Sequence, residues 1–568
     1  MPRGRGSDRP LIVELVPDDE DGVGAHATPH PASSPDGTSA PKDPAADPAA
    51  DAPGRGARFR AWLARQPRTR LVVAGVAALA LVAGAGVAAT VADQRRVERL
   101  RALPGGVVDL ATPPHAAWTT TTDGAVWPVA QVGSLLVVME QESLWVPGAA
   151  EGGSVTLRAL DPATGEDRWS RDVPASTCGP GGITRSERLV CVVRTDGGWS
   201  ALVLDAAGDV VAERALPGVE GPAGLTTEGE PPPAAVAMPT ADGGLLRLVR
   251  LGEPPTMPEL VDEGVGDWRP RSPILARDLR VTLEDAVTGQ ERWSTTLAAE
   301  PTVDVHSCIS VILDGDVPRL DGDTKVWVDA SGDVVTVEGC GVSAQLTPEG
   351  VRLGGGEPWG VRAVAVADGY AVPPAAEILE DGTQSFDATG RWSLVRRDGT
   401  AAGELPGPLI VPAVTDGTGE DLLFVREGGA LVALRTDGLS PAWRTGRPDS
   451  GVLAQVDGTV LTVEEGRLVG LDAATGRSRW ATDVGAADAQ NLAMTAQGMG
   501  QAFTDGRRVV VLSPDWGSDG SAGKLTAYDV GTGEVVWSQP FDGDVQAWTL
   551  AVDGHLLRGG PDRIEGLG

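Results

Sequence analysis

Four short segments of the chain share one spacing. Asp161 is followed by Thr164 and Gly165 and then by Trp169, eight positions on. Asp285, Thr288, Gly289 and Trp293 repeat it, as do Asp472, Thr475, Gly476 and Trp480, and again Asp529, Thr532, Gly533 and Trp537. An apolar run alternating toward the Asp, such as Arg467–Leu471, reads as a strand. The Asp side chain can bond its own backbone two residues on, and the Gly supplies the positive φ that closes a short loop. A second strand then carries the Trp. A large indole recurring once per module needs a large apolar contact and an acceptor for its N–H, so it is suited to packing between modules. At 568 residues the chain also exceeds what one ordinary core supports. A stack of repeated β-units resolves both facts.

Around each motif lie further strand-like runs. Leu453–Gln455, Thr459–Val463, Leu468–Leu471 and Ser478–Asp483 give four short strands in one stretch, the size of a propeller blade. Other stretches keep the rhythm without the full motif. Trp199–Asp205 and Val210–Leu216 lack the terminal Trp, and Leu431–Arg435 with Ala442–Thr445 keeps Trp443 but loses Thr-Gly. The motif resembles that of the PQQ-like β-propeller repeat family, over most of residues 115–568. The resemblance implies an all-β toroid of four-stranded antiparallel blades. Eight blades are expected, with seven or nine as alternatives, because residues 223–297 and 302–408 are irregular. The Pro- and acid-rich stretch Leu251–Arg277 is expected to be an inserted surface loop.

The chain ends suggest how the ring closes. Asp562–Leu567 resembles the third strand of a blade, Gly466–Leu471, and the chain then stops one strand short. His115–Thr120, with Trp118, resembles the fourth strand at Ser478–Thr482. The strand at Trp118 is therefore expected to complete the last blade and remove its open edge.

The N-terminal part has a different composition. Residues 1–70 are rich in Pro, Ala, Asp, Gly and Ser and read as a disordered tail. Residues 71–92 are 22 consecutive residues without charge, enough to cross a bilayer. Seventy residues precede them, so an uncleaved signal-anchor is expected rather than a cleaved signal peptide. Six Arg between Arg55 and Arg70 precede the span, and Arg95, Arg96, Arg99 and Arg101 follow it. That balance places the N-terminus in the cytoplasm. Residues 93–112 read as a stalk or linker and 113–568 as an extracytoplasmic propeller. The net charge of −32 lies almost wholly beyond the stalk helix: residues 102–568 hold 33 basic and 67 acidic side chains, a net −34. Such a surface excludes nucleic acid as the default partner. Heavy Ala, Gly, Val, Arg and Asp usage resembles that of high-GC bacterial proteins of the actinobacterial type.

All four cysteines, Cys178, Cys191, Cys308 and Cys340, fall on one side of the span. An even number there favours two disulfides, Cys178 with Cys191 and Cys308 with Cys340, in an oxidising compartment. No catalytic constellation is evident. Paired His spacings and a GxSxG elbow are lacking. Asp314, Asp316, Asp321 and Asp323 form an acidic cluster that could hold Ca²⁺, although a solvated loop is the plainer reading. Quinoprotein enzymes of the resembled family use a disulfide between adjacent cysteines against PQQ. No such pair occurs here, so PQQ is not expected and no cofactor residue is carried across. The resulting expectation is a membrane-anchored, non-catalytic binding or scaffold module of the cell envelope, with an extracytoplasmic protein or envelope ligand as partner. The alternatives are a degenerate quinoprotein-type oxidoreductase and a transmembrane sensor with a ligand-binding ectodomain.

Overall fold

The computed structural model describes residues 90–568 except 92, 142–153, 175, 181–182, 223–233, 263–267, 306, 309–321, 356–361, 367–368, 375–376, 379–383, 386–389, 447–450, 515–521 and 543–547. The tail expected at 1–70 and nearly all of the span expected at 71–92 lie outside the described residues. Among the described residues no helix is long and apolar enough to cross a membrane.

Among the described residues, the strands form nine blade sheets, each with a four-stranded antiparallel core, and two small two-stranded ribbons. Blade 1 runs from Ala125 to Pro174, blade 2 from Ser176 to Ala215, blade 3 from Ala235 to Leu297 and blade 4 from Val326 to Gly355. Blade 5 runs from Val364 to Glu404, blade 6 from Leu409 to Arg444, blade 7 from Val452 to Asp483 and blade 8 from Gln501 to Asp542. Blade 9 takes three strands from Trp548 to Leu567 and its fourth, Ala116–Thr121, from the other end of the domain.

The ring therefore has nine blades, where eight were expected. The extra blade comes from residues 302–408, which fold as two blades of short strands, blades 4 and 5. Their outer strands, Arg352–Gly355 and Ala401–Glu404, have four residues each and carry no Trp. Without the marker residue their rhythm does not stand out from loop sequence. The stretch Leu251–Arg277 is an insertion between the second and third strands of blade 3, as expected, and contains the ribbon Leu260–Asp262 with Trp268–Pro270.

In blade 7 burial falls from the first strand to the fourth. Val452–Val456 of blade 7 is buried at every position, whereas Ser478–Asp483 alternates exposed with half-buried. Alternation of this kind marks a strand packed on one face only. The closure holds as expected: Trp118 pairs with Gly566, Thr119 with Glu565 and Thr121 with Arg563 in antiparallel register.

Residues 93–112 are more than a loose stalk. A helix covers 93–102, and its Leu100 is 1% exposed. The chain beyond it is stitched to two blades. Val107 N–H donates to Thr504 O of blade 8 at 2.8 Å, and Val108 N–H donates to Gly554 O of blade 9 at 2.9 Å. A second helix, Ala486–Ala496, joins blades 7 and 8 and buries Ala489, Leu492 and Ala496.

Candidate interblade cleft

The motif tryptophans act between blades. Each indole lies on the outer hairpin of the following blade and donates its N–H to the carbonyl one residue past the hairpin's first residue. Trp118 donates to Pro162 O at 3.3 Å, Trp169 to Ala206 O at 3.1 Å and Trp293 to Pro348 O at 2.7 Å. Trp443 donates to Ala473 O at 2.7 Å and Trp480 to Val530 O at 3.1 Å. Under these rings lie Gly165, Gly208, Gly350, Gly476 and Gly533. At Gly476 an added Cβ would stand 2.6 Å from the Trp443 ring. Its φ of 67° also lies in the left-handed region. The repeated Gly thus closes the turn and clears space for the neighbouring indole. Trp537 of blade 8 meets no such hairpin, because the outer strands of blade 9 come from opposite ends of the domain. It donates instead to Leu110 O of the linker at 3.0 Å.

Asp161, Asp285, Asp472 and Asp529 each start the outer hairpin of their blade, as expected. Asp472 accepts from Thr475 N–H and Oγ1 at 2.9 and 2.8 Å, and Asp285 does the same with Thr288 at 2.8 Å. Hydrogen bonds from the Arg479 and Thr475 side chains hold the Asp472 carboxyl below its usual pKa, with burial acting weakly the other way.

Three outer strands lack the Trp. The strand register that pairs Trp169 with Ala159 places Ala212 in blade 2, Gly354 in blade 4 and Gly403 in blade 5 at the equivalent position. Two of the three interfaces are refilled. Between blades 2 and 3, Arg214 lies against the motif glycine, Gly289, and pairs with Glu284 at 2.7 Å. Between blades 5 and 6 the sizes are exchanged. Gly403 replaces the Trp, and Leu439, at a φ of 57°, replaces the motif Gly and reaches back to within 3.7 Å of a Cβ built on Gly403.

Between blades 4 and 5 both positions are glycine, Gly354 and Gly399. Val351 stands over Gly399 and Val372 faces Gly354. A cleft of about 590 Å³ remains, lined by both glycines and by Leu353, Val372, Leu394 and Ser393, with Glu404 among its polar residues. The carbonyl equivalent to the indole acceptors elsewhere is Arg397 O, one residue past Arg396, which begins the blade 5 hairpin. No described hydrogen bond reaches Arg397 O. The sequence reading missed this cleft. The available signal was the regular hairpin arginine-aspartate-glycine run at 397–399 followed by Gly403, where other blades place Trp.

The two disulfides form as paired in the sequence reading. Cys178 and Cys191 face each other across the first two strands of blade 2. Cys308 precedes the first strand of blade 4 and Cys340 follows its second, so this bond ties the approach to the blade onto a hairpin turn. Beside Cys340 lies a buried polar cluster. Arg250 Nη2 donates to Cys340 O at 2.9 Å, and its Nη1 donates to Arg277 O at 2.6 Å. Burial pushes the Arg250 guanidinium down to about 10, so it stays charged at neutral pH.

Of the acidic cluster considered for Ca²⁺, Asp314, Asp316 and Asp321 lie outside the described residues. Asp323 is 0% exposed and belongs to the Arg cluster. It accepts from Arg277 N–H at 2.6 Å and from Arg277 Nη2 at 2.8 Å. Burial alone would raise its pKa. The Arg277 bonds and the Arg250 charge outweigh burial and hold the carboxyl below its usual value. A group with a depressed folded pKa contributes stability that is complete above the unfolded value of about 4 and is lost as pH falls through the folded value. Asp323→Asn should therefore cost about 3 kcal/mol near neutral pH, as expected when one partner of a buried pair is removed. It should also flatten the acid limb of the stability curve measured by denaturant unfolding below about pH 4. An unchanged acid limb would show that the pair contributes little.

Of the histidines, His306 lies outside the described residues, and His115 exchanges backbone hydrogen bonds with Gly568. Burial holds the His555 imidazole below its usual pKa, with Asp553 opposing and Arg101 reinforcing the shift. Among the described residues no group of three His, Cys, Asp or Glu side chains is placed to hold a metal ion.

The geometry defines an all-β propeller built from Trp-docked blades. Residues 385–553 match the family described as "Outer membrane protein assembly factor BamB". With the repeat motif and its docking geometry, this establishes that the chain carries PQQ-like β-propeller repeats. No curated protein matches the chain. Similar solved structures include the quinohemoprotein alcohol dehydrogenase from Comamonas testosteroni, at 14% identity and a TM-score of 0.31, covering 82% of this chain and 80% of that one. BamB from Moraxella catarrhalis shows 11% identity and a TM-score of 0.23, covering 70% and 97%. The WD40 domain of SCAP from fission yeast shows 7% identity and a TM-score of 0.31, covering 79% and 96%. The assignment rests on the repeats and topology, not on these superpositions.

Proposed function

We propose that the chain is a single-pass, membrane-anchored protein whose propeller lies outside the cytoplasm and acts as a non-catalytic binding scaffold of the cell envelope. The observation that carries this reading is the packing of the helix at 93–102 on the propeller. In sequence, the uncharged segment expected to span the membrane directly precedes that helix. Arg96 Nη1 donates to Asp505 O of blade 8 at 2.6 Å, Leu100 is buried, and Arg101 lies against Gly554 of blade 9. Two disulfides support an oxidising compartment. The motif carboxylates are engaged in capping hairpins, which supports a scaffold over an enzyme.

Protease added to intact spheroplasts should degrade the propeller and leave a protected N-terminal fragment. Non-reducing peptide mapping of the membrane form should recover both disulfides. A propeller protected from external protease, or four free thiols, would overturn the topology. Cross-linking in membranes should retain protein partners after residues 1–70 are removed; loss of every partner with the tail would overturn the scaffold role.

A further inference from the structure

We propose that the cleft between blades 4 and 5 is a docking site for an aromatic, tryptophan-type side chain presented by a partner polypeptide with basic flanking residues. The proposal rests on the scaffold reading above and names the partner's chemistry.

The argument is internal to the ring. In five interfaces the space over the motif hairpin holds an indole whose N–H meets the carbonyl one residue past the hairpin start. Where the Trp is missing, the chain supplies a substitute: Arg214 on Gly289, Leu439 in place of the motif glycine, and on Gly399 only the small Val351. The interface between blades 4 and 5 keeps the motif glycine, Gly399, but the described chain supplies no ring to lie on it. Val351 covers that glycine only with a small branched side chain. The walls are apolar on both sides, from Leu353 of blade 4 and from Val372 and Leu394 of blade 5. The equivalent acceptor is Arg397 O. An entering indole would lie beside Val351, which already covers Gly399, and would find apolar walls and, in Arg397 O, the equivalent backbone acceptor for its N–H.

Charge selects the flanks of the ligand. Glu404 lines the cleft at the outer strand and is exposed; Arg391 pairs with it at 3.4 Å, and Arg396 Nη1 donates to the lining carbonyl Ala401 O at 3.0 Å. Residues 102–568 carry a net charge of −34. A cationic segment is drawn to such a surface and an acidic one is repelled. A buried aromatic anchor surrounded by complementary charge is the usual composition of an interface hot spot.

The test uses the full chain in detergent or nanodiscs with two probes, N-acetyl-fluorotryptophanamide followed by fluorine NMR, and the tripeptide amide Lys-Trp-Lys. Both should bind, and Lys-Ala-Lys should bind about 10-fold more weakly or not at all. Ser393→Trp places a bulky ring at the mouth of the cleft. It should weaken Lys-Trp-Lys by about 10-fold or more, with an unchanged melting temperature showing that the fold is kept. Glu404→Gln should weaken Lys-Trp-Lys but leave N-acetyl-fluorotryptophanamide unaffected, separating the charged rim from the aromatic floor. Three results would overturn the proposal: no binding of either probe, binding that survives Ser393→Trp, or binding that emerges only in Trp359→Ala. The last would mean that the chain's own indole, at a position outside the described residues, fills the site. Membrane cross-linking of the same Ser393→Trp chain keeps the two ideas apart. Partners retained by that variant leave the scaffold reading standing and place their contacts elsewhere. Partners absent from the wild-type chain remove the scaffold reading itself.

Discussion

Deleting Arg563–Leu567 should abolish the single cooperative melting transition of the propeller. This strand is the middle of a ladder made from both ends of the domain. On one side Leu557 pairs with Gly566 and Arg558 with Glu565; on the other, Trp118 pairs with Gly566 and Thr120 with Ile564. Its loss strips two ladders at once. It frees Ala116–Thr121 from the ring and leaves the edge of His555–Gly559 open, and open edges invite pairing with other chains. Ile564, fully buried between blades 9 and 1, would be lost from a cluster containing Val126, Leu136, Leu160 and Leu557. The closing Trp118 would lose Gly566 beneath it and with it the geometry of its bond to Pro162 O. Calorimetry should show a broad, low-enthalpy transition or none, and size-exclusion chromatography should show self-association. Trp118→Ala keeps the strand and removes only the lock, so it should melt cooperatively at a lower temperature. A truncated chain melting at the wild-type temperature would show that the ring does not depend on closure.

The closure was legible from sequence because both half-blades carry motif residues. Trp118 and the Gly566-Leu567 pair match other blades position by position. The Trp-bearing hairpins were legible for the same reason: an Asp cap, a positive-φ Gly and an indole each have a fixed role, so their spacing survives where surrounding residues drift. Blades 4 and 5 were not legible as two units. Their outer strands are four residues long and put Gly354 and Gly403 where the marker belongs. Leu439 hid a hairpin in another way, because a branched residue at positive φ runs against local preference and is tolerated only for the packing it gains. The helix Ala486–Ala496 was concealed inside a strand rhythm, although its run of Ala, Gln, Leu and Met favours helix. The cleft depends on two glycines, Gly354 and Gly399, meeting across an interface. That meeting is a property of the assembled ring and of no single repeat.

Trp443→Ala should destabilise the propeller by about 4 kcal/mol, within the usual range for a buried Trp→Ala change. Trp443 is 7% exposed and packs with Phe424, Val469 and Leu471 at the junction of blades 6 and 7. Its ring centroid stands 6.0 Å from that of Phe424. Truncation leaves a cavity that the flanking strands, fixed by their ladders, cannot close. It also leaves Ala473 O without the indole donor that reaches it at 2.7 Å. Trp443→Phe keeps much of the apolar contact and loses that donor, so it should cost about half as much or less. The companion change Gly476→Ala separates the two roles of the motif glycine. In the wild-type background an added methyl meets the Trp443 ring at 2.6 Å and is held at a φ of 67°. In the Trp443→Ala background the ring is gone and only the backbone strain remains, about 1 kcal/mol. The double variant should therefore be less destabilised than the sum of the single ones, by about 1 kcal/mol or more in a denaturant-unfolding cycle. Additive costs would show that the glycine is kept for its backbone alone. Docking of one blade's ring on the next blade's turn would then be a consequence of the fold and not one of its causes.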